Sequence, residues 1–270
     1  MRNESLNKIV RRICGSCKKT TVFGIFTSNN PNQSVMFIKI GDIKPTDYKG
    51  IKVLAAHGLH SDIFKILNPY LKKGMHILDF GCGQGAFSQR LIDAGTVVDA
   101  CDIDTDQIKA QVQRKFKLDL NIAEILNSIS DKYDMVIAIE ILEHLNNPWK
   151  YLSDCKSVLK EDGIIVLSTP NISSFPSRLR FFMRGTLLAY EKTDLAHGHI
   201  TPLSYVQLEN MFGYYNLDIL EKGYAGTIPF LHFFGFSTFS FFRNIILPFF
   251  YPFITGPKKG RSLVYILRKN

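Results

Sequence analysis

The stretch HILDFGCGQGAFSQRL, residues 76–91, contains the pattern that decides the fold. An apolar run ends in an acid, Asp79, and glycines follow on alternate positions at Gly81, Gly83 and Gly85, before a run with helical spacing. Because glycine has no Cβ atom, these positions can adopt positive φ angles and let a ligand approach the main chain. Strand, glycine turn and helix in this order predict a ligand site at the carboxyl edge of an open α/β sheet.

The acid before the glycines limits the class of ligand. A carboxylate at Asp79 would repel the phosphates of a dinucleotide or of a P-loop nucleotide. No Lys-Ser or Lys-Thr pair follows the glycines, which excludes a Walker loop. The third glycine also comes one residue earlier than in the G-x-G-x-x-G of nicotinamide-binding proteins. The pattern therefore favours a ligand with a cationic or hydroxylated group.

Strand and helix patterns alternate from His76 to Pro170, which predicts a doubly wound parallel sheet with right-handed crossovers. The predicted strands are 76–80, 96–104, 117–121, 133–140 and 164–170, with a last pair at 217–224 and 261–269. The predicted helices are 60–71, with Ser61 or Asp62 as its cap, 86–95, 106–116 and 148–163. Asp102 stands where an acid accepts hydrogen bonds from ribose hydroxyls; its alternative role is a helix cap, which Asp104 could also fill.

The segments LDFGCGQG, ACDID and VIAIEILEHL resemble the successive motifs of class I S-adenosylmethionine (SAM)-dependent methyltransferases, over roughly residues 57–224. The resemblance implies a Rossmann-like, seven-stranded, mostly parallel sheet with helices on both faces and one reversed strand near the carboxyl end. It also implies SAM as the cofactor. The residues that it places around SAM are Asp79, Gly81, Cys82, Gly83, Gly85 and Glu140 at the methionine part, Asp102 at the ribose, and Ile103, Asp119 and Leu120 at the adenine.

A closer resemblance concerns bacterial proteins that share GLH at 58–60, STPN at 168–171 and an SRLRFFMRG…HGHITP block. Such proteins are associated with making or decorating surface polysaccharides. This implies methyl transfer to a sugar hydroxyl of a polysaccharide or its precursor. A 2′-hydroxyl of RNA, a quinone-like phenol and a non-catalytic cofactor-binding scaffold are the alternatives. RNA is less favoured, because no recognisable RNA-binding domain accompanies the chain.

The segment EILEH supplies candidate groups for the chemistry. On one helical turn, Glu140, Glu143 and His144 would share a side and could bind a divalent metal, with Mg²⁺ or Mn²⁺ favoured over Zn²⁺. Ubiquinone-pathway O-methyltransferases and small-RNA 2′-O-methyltransferases have a similar E-x-x-E-H, and the RNA enzymes imply His199 as a fourth ligand. Without a metal, His144 or His199 is a candidate general base, with Glu143 as a further catalytic candidate. A merely structural role for these histidines is the other alternative.

Residues 171–224 form the predicted acceptor and lid region. Within it, Arg178, Arg180 and Arg184 alternate with phenylalanines. Either the arginines meet a phosphate or carboxylate of the acceptor, or a lid helix packs its phenylalanines and leaves the arginines in solvent. The second interpretation is slightly favoured, and both can hold.

A phenylalanine-rich stretch at 225–257 interrupts the last strand pair, and its prolines favour an apolar helical hairpin over a membrane-spanning helix. Residues 228–254 would contact the membrane interface peripherally, cover the sheet or form a homodimer interface. The predicted organisation is therefore an N-terminal extension at 1–50 and a methyltransferase domain at 51–270 that contains this insertion.

Bulk composition sets wide limits. The chain has 270 residues and a net charge of +9, which suits an anionic acceptor, nucleic acid or membrane surface without selecting among them. Five cysteines, an odd number, and no visible signal peptide predict a reduced, cytoplasmic protein, with the inner face of the membrane as a further location. Cys14 and Cys17 form one C-x-x-C, and its spacing to His57 and His60 matches no common zinc module.

Overall fold

The computed structural model describes residues 47–122, 129–226, 255–257 and 259–270. These residues belong to the compact unit Thr46–Asn270. The predicted N-terminal extension and the predicted apolar insertion lie almost entirely outside the described residues, so both stay predictions. Within the described ranges, no helix is both long enough and apolar enough to cross a bilayer.

Seven strands form one sheet in the spatial order β5-β4-β3-β6-β7-β9-β8, preceded by a small antiparallel pair, β1 and β2. Neighbouring strands of the large sheet are parallel except at β9, which is antiparallel to both β7 and β8. This confirms the predicted seven-stranded sheet with its reversed strand. The strands are β1 (Asp47–Tyr48), β2 (Ile51–Lys52), β3 (His76–Phe80), β4 (Val97–Asp102), β5 (Arg114–Lys117), β6 (Tyr133–Ile139), β7 (Leu159–Pro170), β8 (Leu217–Ala225) and β9 (Ser262–Lys269).

Helices cover both faces of the sheet, as predicted. Alternate residues of a strand point to opposite faces. Leu78 of β3 therefore joins the core cluster that contains Tyr151 and Phe212, whereas its neighbour Ile77 joins the cluster that contains Ile63 and Leu91. The described α-helices are α1 (Leu59–Leu67), α2 (Ala86–Asp93), α3 (Pro148–Ser157), α4 (Phe175–Arg184), α5 (Lys192–Ala196) and α6 (Tyr205–Tyr214).

The predicted helix over 106–116 is wrong. A short 3-10 turn covers Thr105–Gln107, and the strand β5 already begins at Arg114. The Gln113 N–H donates to the Val98 carbonyl oxygen at 2.8 Å, so this polar segment pairs with the edge of β4. Tertiary pairing here outweighs the helix propensity of the segment's Gln and Lys residues.

The predicted end of the helix at residue 163 is also wrong. The helix α3 ends at Ser157, and β7 begins at Leu159, where it pairs with Tyr133 before a shift in register. The pairing with β6 therefore starts several residues before the apolar run that marked the strand in the sequence.

The helix α1 begins earlier than predicted. Its N-cap is Gly58 in the left-handed conformation, with no side-chain cap. The Ser61 hydroxyl donates to the Gly58 carbonyl oxygen at 3.0 Å instead of capping the helix. Pro69 lies in the 3-10 segment Asn68–Tyr70 that follows α1.

A buried carboxylate ties together the strands at the amino edge of the sheet. Asp99 of β4 is fully buried, and its Oδ2 accepts hydrogen bonds from His76 Nε2 at 2.9 Å, Arg114 Nη2 at 2.6 Å and the Tyr133 hydroxyl at 2.9 Å. These donors come from β3, β5 and β6. This polar cluster therefore connects the strands near their amino ends, and the predicted ligand site lies at their carboxyl ends.

Candidate functional site

The glycine turn joins β3 to α2 at the carboxyl edge of the sheet. Gly81, Gly83 and Gly85 have φ angles of 98°, 55° and 82°, which is the left-handed region that favours glycine. The Gly81 N–H donates to the Cys101 carbonyl oxygen at 2.9 Å, which holds the turn against β4. A Cβ atom added at Gly81 would lie 2.8 Å from Cδ1 of Ile141. Backbone conformation and close packing therefore both require glycine at Gly81.

Replacing Gly81 by alanine is expected to lower the free energy of unfolding by about 2 kcal/mol, because a left-handed non-glycine residue costs about 1–2 kcal/mol and the clash with Ile141 adds to it. It should also weaken SAM binding, since the turn must shift. Gly213→Ala is the matched control: it lies in α6, an added Cβ would meet no atom within 4 Å, and it should be neutral or stabilising. Urea denaturation and calorimetry with SAM measure the two effects. Equal stability of both variants would contradict this account of Gly81.

Asp102 connects the end of β4 to the glycine turn. Its Oδ2 accepts the Gly83 N–H at 2.8 Å, and its Oδ1 accepts the Asp104 N–H at 3.1 Å and Gln107 Nε2 at 3.2 Å. Asp104 caps the following 3-10 turn by accepting the Asp106 N–H. The capping role therefore belongs to Asp104. A carboxylate has about four acceptor sites, so Asp102 keeps capacity for a ribose hydroxyl.

Asp79 lies behind the turn, not on its surface. The side chain is buried and accepts a 2.5 Å hydrogen bond from the Ser88 hydroxyl. The pKa of Asp79 is raised to about 6, chiefly by burial and also by the charge of Asp102, and the Ser88 hydrogen bond partly opposes this rise. A cationic ligand at the turn would favour the ionised form of this carboxyl group.

The predicted adenine contacts surround the same strand ends. Ile103 follows β4 and is 60% exposed, so its side chain is accessible to a ligand. Asp119 and Leu120 follow β5, where the Leu118 N–H donates to the Asp102 carbonyl oxygen at 3.1 Å. Cys82 is half-buried within the glycine turn. The roles of these residues toward SAM stay predictions.

Glu140 follows directly after β6 in a strained conformation. Its φ angle is 49°, which is uncommon for a non-glycine residue and is typical of functional sites. Its Oε1 accepts the Ser168 hydroxyl at 2.8 Å, and its Oε2 accepts the Ser262 hydroxyl at 3.1 Å. Both oxygens are therefore occupied by strands β7 and β9. The structure leaves Glu140 out of the group that could hold a metal, and its place beside the methionine part of SAM stays a prediction.

Among the described residues, Glu143, His144 and His199 form a group that could hold a metal ion, because each offers one ligand atom within 4.8 Å of the others. Glu143 is fully buried; its Oε2 accepts the Thr169 hydroxyl at 3.1 Å, and its Oε1 has no partner among the described residues. Burial and the charge of Glu140 raise the pKa of Glu143 well above its usual value. An unpaired buried carboxylate oxygen is costly, so this atom suits a donor or a cation.

The two histidine rings lie beside this carboxyl group. The Nδ1–H of His199 donates to the Ala189 carbonyl oxygen at 2.8 Å, an assignment that follows from the hydrogen bond and leaves Nε2 as the acceptor or ligand atom. The rings of His144 and His199 meet edge to face at 4.7 Å. Burial and the neighbouring His199 lower the pKa of His144 below its usual value of 6.5. At neutral pH, His144 is therefore ready to accept a proton or to bind a metal.

A backbone clip brings the lid to the EILEH segment. The Glu143 carbonyl oxygen accepts the N–H groups of Ile200 at 2.8 Å and of Thr201 at 3.0 Å. The Thr201 carbonyl oxygen in turn accepts the Tyr190 hydroxyl at 2.6 Å. The Tyr190 ring lies 5.8 Å from that of His199, so Tyr190 is a site residue that the sequence did not predict. No motif marked it, because only the folded lid brings it near Glu143.

The helix α4 departs in part from the second sequence interpretation, whereas contact of its arginines with an acceptor stays a prediction. Arg178 donates to the Thr255 carbonyl oxygen at 2.8 Å, and Arg180 pairs with Glu191. These two arginines therefore connect α4 to Thr255 and to Glu191. Phe181 and Phe182 are 55% and 84% exposed, so the prediction that the helix packs its phenylalanines is wrong for these two residues.

Comparison with known proteins shows that this chain is similar to methyltransferases. A family model described as a methyltransferase domain matches residues 55–222. Among curated proteins, ubiquinone biosynthesis O-methyltransferases are similar: that of Glaesserella parasuis is 32% identical over 109 residues, which cover 36% of this chain and 46% of that protein. That of Dinoroseobacter shibae is 32% identical over 131 residues, 46% of this chain and 51% of that protein. The chain thus spans about half the length of the curated relatives it matches.

A solved structure supports the fold. A SAM-dependent methyltransferase from Archaeoglobus fulgidus superposes with a TM-score of 0.52 and 22% identity, over 78% of this chain and 92% of that one. Since the family model covers more than half of the chain, the chain belongs to the methyltransferase domain family, and its folded domain is that of a SAM-dependent methyltransferase.

Proposed function

We propose that this protein transfers the methyl group of SAM to a hydroxyl group, with Glu143, His144 and His199 on the acceptor side. The observation that carries the proposal is the unpaired, buried Oε1 of Glu143 beside the imidazoles of His144 and His199. Glu143 and His144 follow β6 in the chain, and β6 pairs with β3, the strand that leads into the glycine turn. Both parts of the site therefore lie at the carboxyl edge of adjacent strands.

In this proposal, different residues bind the cofactor and accept the proton of the hydroxyl group. When bound, SAM supplies a methyl group on a sulfonium, which is the electrophile. The glycine turn and Asp102 are the groups that would hold the cofactor. Nε2 of His199, or the ring of His144, accepts the hydroxyl proton while the new carbon–oxygen bond forms and the carbon–sulfur bond breaks. The burial of Glu143 and the partial burial of His144 limit the access of water to this group.

The three ligand atoms also fit a divalent metal. One carboxylate and two imidazoles form a set richer in nitrogen than the predicted set with Glu140, which favours Mn²⁺ or Zn²⁺ over Mg²⁺. When bound there, the ion would lower the pKa of the acceptor hydroxyl.

Removal of metal separates the two versions of this mechanism. We expect a chelator to lower turnover and added Mn²⁺ or Zn²⁺ to restore it, with Mg²⁺ less effective. Calorimetry with Mn²⁺ alone measures the site without any acceptor, and Glu209→Gln, a glutamate that bonds Lys222 and Tyr265, is the control for non-specific loss. No Mn²⁺ binding and turnover indifferent to chelation would leave the histidines as bases without a metal.

Two acceptor classes have specific support. The resemblance to polysaccharide-associated proteins favours a sugar hydroxyl, whereas the curated relatives named as ubiquinone biosynthesis O-methyltransferases favour a phenol. Labelled SAM offered with a bacterial surface glycan and, separately, with a catechol distinguishes the two. Calorimetry with SAM tests the common step: absence of binding would refute both versions.

A further inference from the structure

The carboxyl-terminal end of α4 exposes three consecutive large apolar side chains. Phe181, Phe182 and Met183 are 55%, 84% and 61% exposed, and α4 ends directly after them in a glycine cap at Gly185. Single exposed apolar residues are normal on a protein surface, but a contiguous group at one helix end marks an interaction surface. We call residues 181–184 the α4 tip.

The charges around the α4 tip are predominantly positive. Arg184 belongs to the tip and has no carboxylate partner among the described residues. Lys192 is exposed and follows Glu191, the acid that pairs with Arg180 one turn before Arg184. The other acid nearby, Asp194, is occupied in the capping box of α5. Apolar side chains next to a cation such as Arg184 are complementary to an anionic lipid surface.

The course of the chain adds an independent observation. The described chain leaves at Gly226 and returns at Thr255, whose carbonyl oxygen accepts a hydrogen bond from Arg178 of α4. Asn171 fixes the return further by donating to the carbonyl oxygens of Pro257 at 2.9 Å and Lys259 at 2.7 Å. The intervening sequence, 227–254, contains about half of the chain's 21 phenylalanines and a single charged residue. This apolar sequence is therefore followed directly by a residue that is hydrogen-bonded to α4.

We propose that the α4 tip inserts Phe181, Phe182 and Met183 into the interfacial region of an anionic lipid bilayer, with Arg184 and Lys192 at the headgroups. The contact is peripheral, because it uses one helix end. It places the lid of the site against the membrane surface, where an acceptor attached to a lipid would be presented. The proposal does not depend on the hydroxyl chemistry and survives or fails separately from it.

Co-sedimentation of the full chain with vesicles tests the proposal. Vesicles of equal parts phosphatidylcholine and phosphatidylglycerol should bind the wild type. The variant Phe181→Ser/Phe182→Ser/Met183→Ser should bind at least about tenfold more weakly, since each side chain loses part of the roughly 1.5–3 kcal/mol that burial of a large apolar group contributes. Arg184→Glu should weaken binding to these vesicles and leave binding to pure phosphatidylcholine unchanged.

A matched variant, Ile122→Ser/Tyr214→Ser/Ile219→Ser, removes three exposed apolar side chains on other elements and should bind as the wild type does. All variants alter exposed residues, and thermal unfolding verifies that they fold. Equal binding of the tip variant and the wild type would overturn the proposal. So would self-association without lipid that the tip substitutions abolish, because the occupant of the surface would then be a second copy of the chain.

Discussion

Replacing Glu143 by glutamine is expected to lower the turnover of methyl transfer by about 10²–10⁴-fold, the range found when a positioned proton-transfer group is lost. Glutamine keeps the size of the side chain and the acceptor for the Thr169 hydroxyl. It removes the carboxylate that can pair with a cation or a proton. Because burial disfavours the ionised form of Glu143, replacing it by a neutral amide should not lower the free energy of unfolding. Labelled SAM and a responsive acceptor measure turnover.

Two controls accompany this variant. Calorimetry should find SAM affinity unchanged within a few-fold, since Glu143 lies on the acceptor side. Glu209→Gln, at a glutamate bonded to Lys222 and Tyr265, should leave turnover unchanged. Turnover of Glu143→Gln close to that of the wild type would refute the assignment of Glu143. Loss of SAM binding together with turnover would move Glu143 to the cofactor side.

Replacing Asp79 by asparagine is expected to stabilise the cofactor-free protein and to weaken its binding of SAM. The pKa of Asp79 is raised from 3.8 to about 6, so folding favours the protonated form. Asp79 therefore contributes its full stability below pH 3.8 and loses it as the pH rises through about 6. At neutral pH, Asp79→Asn should raise the free energy of unfolding by about 3 kcal/mol, because one pKa unit corresponds to about 1.4 kcal/mol. The gain should shrink toward acid pH.

The opposite effect on SAM binding distinguishes function from stability. The positive charges of SAM favour ionised Asp79, so asparagine should weaken binding by about tenfold or more. In the wild type near pH 6, SAM binding should release protons, which calorimetry in buffers of different ionisation enthalpy detects. Denaturation with urea at several pH values measures stability. A destabilising effect of Asp79→Asn at neutral pH, or a stabilising effect that does not vary with pH, would contradict the buried-carboxyl account.

A strand could be predicted where its local sequence pattern reflects how the strand is buried. A strand that is buried on both faces reads as an unbroken apolar run, as in β6, and the sequence placed it correctly. The strand β5 has the sequence RKFK and lies at the sheet edge. Its backbone pairing with β4 is a tertiary contact that no local pattern records, which is why a helix was predicted there instead.

The candidate site could likewise be predicted only in part. The positions of Glu143, His144 and His199 follow from two short motifs, and the structure brings them together. The separation of Glu140 from this group could not be predicted, because it depends on hydroxyl donors from distant β7 and β9. The left-handed conformation of Glu140 also breaks the regular helical turn on which the prediction relied.

The backbone clip at Glu143 bears on how a new acceptor preference could evolve. Because the clip joins only main-chain atoms, side chains around it can be exchanged without breaking it. Selection for a different acceptor should therefore collect substitutions between residues 175 and 195. Residues 143–144 and 199–201 would be retained, so that one catalytic arrangement could serve a series of diverging substrate specificities.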